Sequence, residues 1–308
     1  MTKFLTASLL CVSLSFGADA PKRPKILGIA HIALFVHDVE KSRQFYKDFL
    51  GYGEPFKLDN PNGSLSLTFI KVNDHQYIEL FPEKEANTDR LNHISVETGD
   101  AEAMRVYLAS RGVKVPGKVG KGRIGNSNFN IKDPDGHTVE IVQYEPDGWS
   151  MREKGKFMDG PRISTHIRHL GVIVGKLEPA MKFYTEVLGF TEIWRGSRDG
   201  KTLSWVNLKL PDSDDYIEFM LYDRFPALAA LGTAHHICFE VADIEKARAD
   251  LENRPGRKFY SKELTFKTGT NRKRQMNLFD PDGTRSELME PRTVDGKPTP
   301  PATAPPPH

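Results

Sequence analysis

Four times along the 308-residue chain, a histidine opens or begins a short apolar run that is followed by an amphipathic helix pattern. The runs have the length of a strand, and their alternation indicates that at least one face is buried. The four segments are ILGIAHIALFVHDVEKSRQFYKDFLG, LNHISVETGDAEAMRVYLASRG, IRHLGVIVGKLEPAMKFYTEVLGF and AHHICFEVADIEKARADLENR. Such a repeat restricts the chain to a fold with internal symmetry.

Further strand patterns follow, such as SLSLTFIKV, HQYIELF, TLSWVNLKL and DYIEFMLY. Each unit therefore consists of a strand, a helix and two or three more strands. The turn Asp-Pro-Asp-Gly occurs at 133–136 and again at 280–283, and a strand that contains glutamate follows it both times. In this turn proline presets one backbone angle and glycine supplies a positive one. The pattern predicts an α+β protein of two modules, each built from two related half-modules.

The boundaries follow from composition. Residues 26–145 form the first predicted module and residues 166–291 the second. Residues 146–165 combine proline, glycine and charge with weak periodicity, which is typical of a linker. The tail, residues 292–308, is rich in proline and is predicted to be disordered or extended.

The overall composition is that of a globular protein, with 38% hydrophobic and 27% charged residues. The formal net charge is +2, from 43 basic and 41 acidic residues, so no basic surface indicates a nucleic-acid partner. No apolar run is long enough to span a bilayer. The sequence does not define an oligomeric state, and a small molecule is the expected partner.

The first residues, 1–20, have the pattern of a signal peptide. Lys3 supplies a positive start, the stretch from Phe4 to Phe16 is apolar, and small residues follow at Ala18 and Ala20. We therefore expect export to the periplasm or the extracellular space. Of the two cysteines, Cys11 and Cys238, only the second would remain after cleavage, which leaves no intrachain disulfide.

Glutamates stand between apolar residues on several predicted strands. Because side chains alternate along a strand, Tyr77, Glu79 and Phe81 share one face. A buried carboxylate is costly unless it is paired or bound to a metal. Both modules carry such glutamates together with the strand-opening histidines, in the same order. The candidate ligands are His31, Glu79, His93 and Glu140 in the first module, and His169, Glu218, His236 and Glu287 in the second.

Two imidazoles and two carboxylates suit a divalent transition metal such as Zn, Ni, Fe(II), Mn or Co, with positions left open for a substrate. The sequence leaves the pairing of half-modules open, because each module could close on itself or exchange halves with the other. Exchange would give one site with His31, Glu79, His236 and Glu287, and another with His93, Glu140, His169 and Glu218.

The chain resembles the vicinal oxygen chelate superfamily of glyoxalases, extradiol dioxygenases and bleomycin-resistance proteins. The resemblance covers about residues 26–291. It rests on HIALFVHDVEKSRQFYKDFLGY, YIELF, NHISVE and DPDGHTVEIVQ in the first module, and on HLGVIVGKLEPAMKFYTEVLGF, YIEFM, HHICFEV and DPDGTRSELME in the second. It implies four βαβββ units that form two cupped mixed sheets, each around a metal.

The order of histidine and glutamate is most similar to that of glyoxalase I. The resemblance implies a divalent-metal-dependent enzyme acting on a small oxygenated carbonyl compound, with Glu140 or Glu287 as general base. One alternative is an Fe(II) extradiol-type ring-cleaving dioxygenase that uses His169, His236 and Glu287. That family has a tyrosine before the last turn, where this chain has Phe279. The other alternative is a non-catalytic small-molecule-binding or resistance protein of the same fold.

Overall fold

The computed structural model describes residues 21–86 and 88–307, and these residues form two eight-stranded mixed sheets with few helices. The strands of the first sheet are β1 Ile26–Val36, β2 Gly53–Asp59, β3 Leu65–Lys71, β4 Tyr77–Pro82, β5 Leu91–Thr98, β6 Gly120–Lys121, β7 Ser127–Lys132 and β8 Thr138–Gln143. Those of the second are β9 Ile167–Ile173, β10 Thr191–Ser197, β11 Leu203–Lys209, β12 Tyr216–Met220, β13 His236–Glu240, β14 Phe266–Thr268, β15 Lys273–Phe279 and β16 Arg285–Thr293.

Each sheet is formed by one module alone. The strand order is β2-β3-β4-β1-β5-β8-β7-β6 in the first module, and β10-β11-β12-β9-β13-β16-β15-β14 in the second. In the first module β1 pairs in parallel with β4, β5 pairs in parallel with β8, and β1 and β5 join the two halves as an antiparallel pair. The α+β class and the two modules are confirmed. Half-modules pair within a module, so the exchanged arrangement is not the one observed.

A helix follows the first strand of each half-module: α1 Val39–Arg43, α2 Ala101–Ser110, α4 Leu177–Lys182 and α6 Ile244–Glu252. Two further helices lie elsewhere, α3 Trp149–Arg152 after β8 and α5 Leu228–Ala234 before β13. Asp38 caps α1, since its carboxylate accepts the N–H groups of Glu40 and Lys41. Helices α1 and α4 continue as π-helical turns, Gln44–Phe49 and Phe183–Val187, and a 3₁₀ turn, Pro255–Phe259, follows α6. No helix among the described residues is long and apolar enough to cross a membrane.

The segments that follow the two modules are ordered against them. Within the predicted linker, α3 places Trp149 edge-to-face with Phe56 of β2, at 5.7 Å between ring centroids. In the tail, the N–H of Ala302 donates to the carbonyl of Arg195 at 2.9 Å, and the N–H of Leu203 donates to the carbonyl of Pro305 at 2.7 Å. These contacts hold part of the tail, for which the sequence predicts disorder or an extended chain, against the second module. The predicted signal peptide lies outside the described residues and stays a prediction.

The two modules contact each other through equivalent residues. The hydroxyl of Tyr46 donates to Asp280 at 3.1 Å, and that of Tyr184 donates to Asp133 at 3.2 Å. Each tyrosine belongs to the π-helical turn of one module, and each aspartate opens the Asp-Pro-Asp-Gly turn of the other. The second aspartate of each turn also accepts a hydrogen bond from the other module. Asp135 accepts the N–H of Gly175 at 2.9 Å, and Asp282 accepts the equivalent N–H of the first module.

A second reciprocal contact joins the central strands of the two modules. Asp215, directly before β12, accepts the N–H of Ile29 in β1 at 2.9 Å. Gln76, directly before β4, accepts the N–H of Ile167 in β9 at 2.7 Å. One buried apolar cluster extends through both modules, so the interface is part of a continuous core.

Asp280 gives this interface a pH dependence. Burial, and then the charge of Asp282, raises the pKa of Asp280 to about 7, whereas an aspartate in an unfolded chain has a pKa of about 4. Between these values the folded protein holds a proton that the unfolded chain has released. The contribution of Asp280 to stability therefore falls as the pH rises from about 4 to 7, by at most about 1.4 kcal/mol per pH unit.

We predict that Asp280→Asn removes this part of the pH dependence. Asparagine keeps an oxygen for the turn N–H groups and presents an amide to Tyr46, but it does not ionise. The variant should gain stability relative to the unmodified protein as the pH rises from 4 to 7, measured as the urea midpoint at each pH. The exposed Asp223→Asn is the control and should leave the pH profile unchanged. Parallel profiles for Asp280→Asn and the unmodified protein would contradict the prediction.

Candidate metal centres

The register of the central strands brings the histidines of each module together. In the first module, His31 of β1 is opposite Ser95, and His93 of β5 is opposite Ala33, so the two histidines are diagonal neighbours on one face. Their Nε2 atoms are 3.0 Å apart, and both side chains are buried. In the second module the Nε2 atoms of His169 and His236 are likewise 3.0 Å apart.

Two carboxylates complete the first cluster, as the sequence predicts. The Nε2 of His31 lies 3.7 Å from Glu79 and 3.6 Å from Glu140. The Nε2 of His93 lies 3.8 Å from Glu79 and 3.7 Å from Glu140. Glu79 comes from β4 and Glu140 from β8, the two strands that run parallel to β1 and β5. All four predicted groups of this module therefore converge.

The second cluster has the same composition and closer contacts. The Nε2 of His236 lies 3.3 Å from Glu218 and 3.5 Å from Glu287. The Nε2 of His169 lies 3.9 Å from Glu218 and 3.5 Å from Glu287. The ring of His169 also stacks on Tyr216, with 4.5 Å between centroids. All four predicted groups of the second module converge as well.

These distances suit a divalent ion. Ligand atoms at about 2.1 Å from one ion are separated from each other by roughly 3.0 to 3.5 Å. In each module one atom from each of the two histidines and from the last-strand glutamate lies within 4.8 Å of the others. Glu79 and Glu218 are not part of these three-residue groups, although each lies within 3.9 Å of both histidines of its module. The donor atoms of both modules therefore fit a metal.

Burial controls protonation in the first cluster. It lowers the pKa of His93 to about 4 and, together with His93, lowers that of His31 well below its usual value. It raises the pKa of Glu140 to about 8 and, together with the charge of Glu140, raises that of Glu79 well above its usual range. Without an ion, this cluster therefore holds neutral imidazoles and at least one protonated carboxyl at neutral pH.

In the second cluster, the charge of Arg285 also affects the pKa values of the candidate ligands. The Nη2 of Arg285 lies 2.6 Å from Nδ1 of His236, and burial followed by the charge of Arg285 lowers the pKa of His236. Burial alone would raise the pKa of Glu287, but the hydrogen bond with His169 and the charge of Arg285 outweigh it, and the pKa is lowered. The two modules thus have the same donor groups in different electrostatic surroundings.

The cavities in front of the clusters differ accordingly. The first has a volume of about 180 Å³ and is lined by both histidines, both glutamates and a largely aromatic and aliphatic wall that includes Phe69, Tyr77 and Tyr144. The second has a volume of about 380 Å³ and is lined by Glu218 and Glu287, whereas His169 and His236 are not among its lining residues. Both cavities are large enough for a small molecule beside the candidate ligands.

Several residues of these walls are not predicted by the sequence analysis. Ser150 of the linker lines the first cavity, and Arg198, Lys267 and Arg285 line the second. Alternation along β16 places Arg285 on the same face as Glu287, so the sequence pattern could have predicted Arg285 as a cavity residue. Arg198 and Lys267 come from distant parts of the module, and no spacing in the sequence connects them with the cavity.

A glycine fixes the position of one histidine. Gly171 of β9 is opposite His236, and a Cβ atom at Gly171 would lie only 1.9 Å from Nδ1 of that ring. The ring therefore occupies space that any other residue would fill. The equivalent residue in the first module is Ala33, opposite His93. The ring of His93 therefore lies opposite a residue that has a Cβ atom, whereas the ring of His236 does not.

Comparisons with known proteins agree with this geometry. The sequence model of the Glyoxalase/Bleomycin resistance protein/Dioxygenase superfamily matches residues 28–141 and 166–288. A probable lactoylglutathione lyase of Synechocystis sp. is 29% identical in an alignment of 123 residues that covers 37% of this chain and 94% of that protein. The lactoylglutathione lyase of Pseudomonas putida is 30% identical over 147 residues, covering 38% of this chain and 84% of that protein.

Solved structures share the fold over most of the chain. The 2,3-dioxygenase LapB from Pseudomonas sp. KL28 superposes with a TM-score of 0.66 at 18% identity, covering 90% of this chain and 97% of that one. The Mn(II)-bound glyoxalase from Novosphingobium aromaticivorans gives 0.64 at 18% identity, covering 87% and 83%. At such identities the likeness shows the fold and leaves the activity open.

We predict that Gly171→Ala displaces the His236 ring, because the new methyl group and the imidazole cannot share one volume. The cost in unfolding free energy should be about 1 to 3 kcal/mol, as for other overpacked sites. The side-chain NMR resonances of His236 should shift strongly. Ala33→Gly is the matched control and should cost less than about 1 kcal/mol, with His93 little changed. An unshifted His236 signal in Gly171→Ala would contradict the prediction.

Proposed function

Because the chain belongs to the Glyoxalase/Bleomycin resistance protein/Dioxygenase superfamily, we propose that it is a divalent-metal-dependent, glyoxalase-like enzyme. Its substrate would be a small oxygenated carbonyl compound, and its reaction a proton transfer at the carbon next to the carbonyl. The observation that carries the proposal is the second carboxylate in both modules. Glu79 and Glu218 join the two histidines and the last-strand glutamate, which gives the full glyoxalase-like donor set.

Each donor has a role in this proposal. The histidines and glutamates of one module would hold one ion, which supplies Lewis acidity toward an oxygen of the carbonyl group. Glu140 or Glu287 would accept the proton from the neighbouring carbon, because both lie at the cavity wall and at the cluster. The buried surroundings exclude bulk water from these carboxylates and keep the proton available for return to the substrate.

The ring-cleaving dioxygenase is the second candidate. Two histidines and one glutamate form the tightest group in each module, and that is the donor set of a non-haem Fe(II) oxygenase. The LapB dioxygenase shares the fold. The presence of Glu79 and Glu218 beside both groups favours the glyoxalase-like reading, and Phe279 stands where the dioxygenase signature has tyrosine.

Metal content tests the first part of the proposal. We predict two divalent transition-metal ions per chain after mild purification, measured by elemental analysis. His31→Ala and His169→Ala are matched variants, and each should lose one ion because removal of an imidazole opens the coordination shell of one module. A value near one for the unmodified protein would restrict the proposal to one module. A protein that fails to take up Zn, Ni, Mn or Fe would contradict it.

Exchange with solvent tests the reaction. We predict that the metal-loaded protein exchanges the carbon-bound hydrogen of an α-hydroxy ketone or a hemithioacetal with deuterium oxide, observed by NMR. The double variant Glu140→Gln/Glu287→Gln should lose about a hundredfold or more of the rate, since it lacks the basic carboxylate. It should retain more metal than His236→Ala, because the amide oxygen still reaches the ion.

The single variants Glu140→Gln and Glu287→Gln assign the activity to a module. Full exchange by the double variant would contradict the role of these glutamates as general base. Oxygen consumption with catechol, without hydrogen exchange, would favour the dioxygenase. Metal uptake with neither activity would favour a binding protein.

A further inference from the structure

Three cationic side chains, Arg198, Lys267 and Arg285, line the cavity of the second module. Within residues 21–86 and 88–307, no carboxylate oxygen lies within 4.0 Å of the charged nitrogens of these three side chains, whereas most other arginines of the module are paired, such as Arg195 with Glu192. Unpaired cations that face one concave site attract an anion.

Buried donors in the same cavity also lack acceptors. The Nε of Arg285 and the Nε1 of Trp194 are buried, and neither has a hydrogen-bond partner in the described part of the chain. Both groups can only donate. A buried donor without an acceptor costs about 1 to 3 kcal/mol, so a ligand that supplies acceptor oxygens would relieve both. Arg198 is also oriented toward this wall, because its guanidinium lies 5.3 Å from the ring centre of Trp205.

The first cavity differs in its charge. Among the described residues that line it, Arg123 is the one arginine or lysine, and its guanidinium already donates to Ser66 and to the carbonyl of Asp59. The remaining wall is mostly aromatic and aliphatic. The two modules therefore have the same candidate metal ligands but differ in the charge of the cavity wall.

We propose that the second module binds a carboxylate-bearing small molecule, whose anionic group is held by Arg285, Arg198 and Lys267, and that the first module does not share this preference. The proposal names the substrate class for one of the two sites in the proposed function. Anion binding itself rests on the cations and not on the ion at the histidines, so it can be tested with and without metal.

The test compares two ligands that differ only in charge. 2-Hydroxyacetophenone carrying a 4-carboxylate and the same compound carrying a 4-carboxamide have equal size and the same vicinal oxygens. Binding is followed by tryptophan fluorescence in full-length Trp149→Phe protein, because Trp194 and Trp205 line the second cavity. We expect the carboxylate to bind at least about tenfold more tightly, as is usual for hydrogen bonds to charged groups, and we expect salt to reduce the difference.

Variants assign the preference to residues. Arg198→Gln and Arg285→Gln should each reduce the preference for the carboxylate, and Arg285→Lys should restore part of it, because lysine keeps the charge but not the planar fork. Arg123→Gln in the first cavity is the matched control and should leave the preference intact. Equal affinity of the two ligands for the unmodified protein would overturn the proposal, and so would a preference that disappears only in Arg123→Gln.

Metal-free protein separates this proposal from the proposed function. The carboxylate preference should persist after chelation of the metal, since the cations remain. If no metal binds but the preference is present, the enzyme proposal fails and the anion site stands. If metal binds and hydrogen exchange occurs without any preference, the anion site fails and the enzyme proposal stands.

Discussion

The structure depends on burying two carboxylates and two imidazoles at the centre of each sheet. The antiparallel contact of the two half-modules places the histidines as diagonal neighbours, and the strand that runs parallel to each histidine strand supplies a glutamate. The histidines and Glu287 are at most 7% exposed, and the other glutamates are largely buried. In this position an unpaired carboxylate is costly. The register of the central strands and the small residue opposite one histidine of each module, Ala33 or Gly171, therefore both have to accommodate a buried centre.

The two modules solve this electrostatic problem in different ways. In the first module, burial and the charges within the cluster set its protonation, and burial raises the pKa of Glu140 to about 8. In the second, Arg285 adds a positive charge beside His236, and the pKa of Glu287 is lowered. The two modules therefore share the candidate ligands but surround them with different charges, and function is set by such site details and not by the fold.

Local pattern was sufficient to predict the four histidine-bearing strands, the helices that follow them and the eight candidate ligands, because alternation and repetition report which side chains share a face. It did not predict α3 or α5. It could not decide how half-modules pair, since both arrangements contain the same ligand types, and only the observed register of β1 with β5 distinguishes them. The Asp-Pro-Asp-Gly turns were predicted as turns, but their contacts with Tyr46 and Tyr184 span the two modules. Arg198 and Lys267 meet in space from distant segments, and no local rule connects them.

Each module extends beyond its sheet, because the linker packs against the first module and the tail against the second. Trp149 covers β2 after the first module, and the tail bonds to Arg195 of β10 after the second, so each module is followed by a segment that returns across its own second strand. Without such a segment, the exposed edge of a strand is a template for pairing with another chain. Each sheet and the segment that follows it therefore form one structural unit. A truncation that ends at the last strand of the second module would remove the contacts of the tail with Arg195 and Leu203 and leave the edge strand β10 prone to self-association.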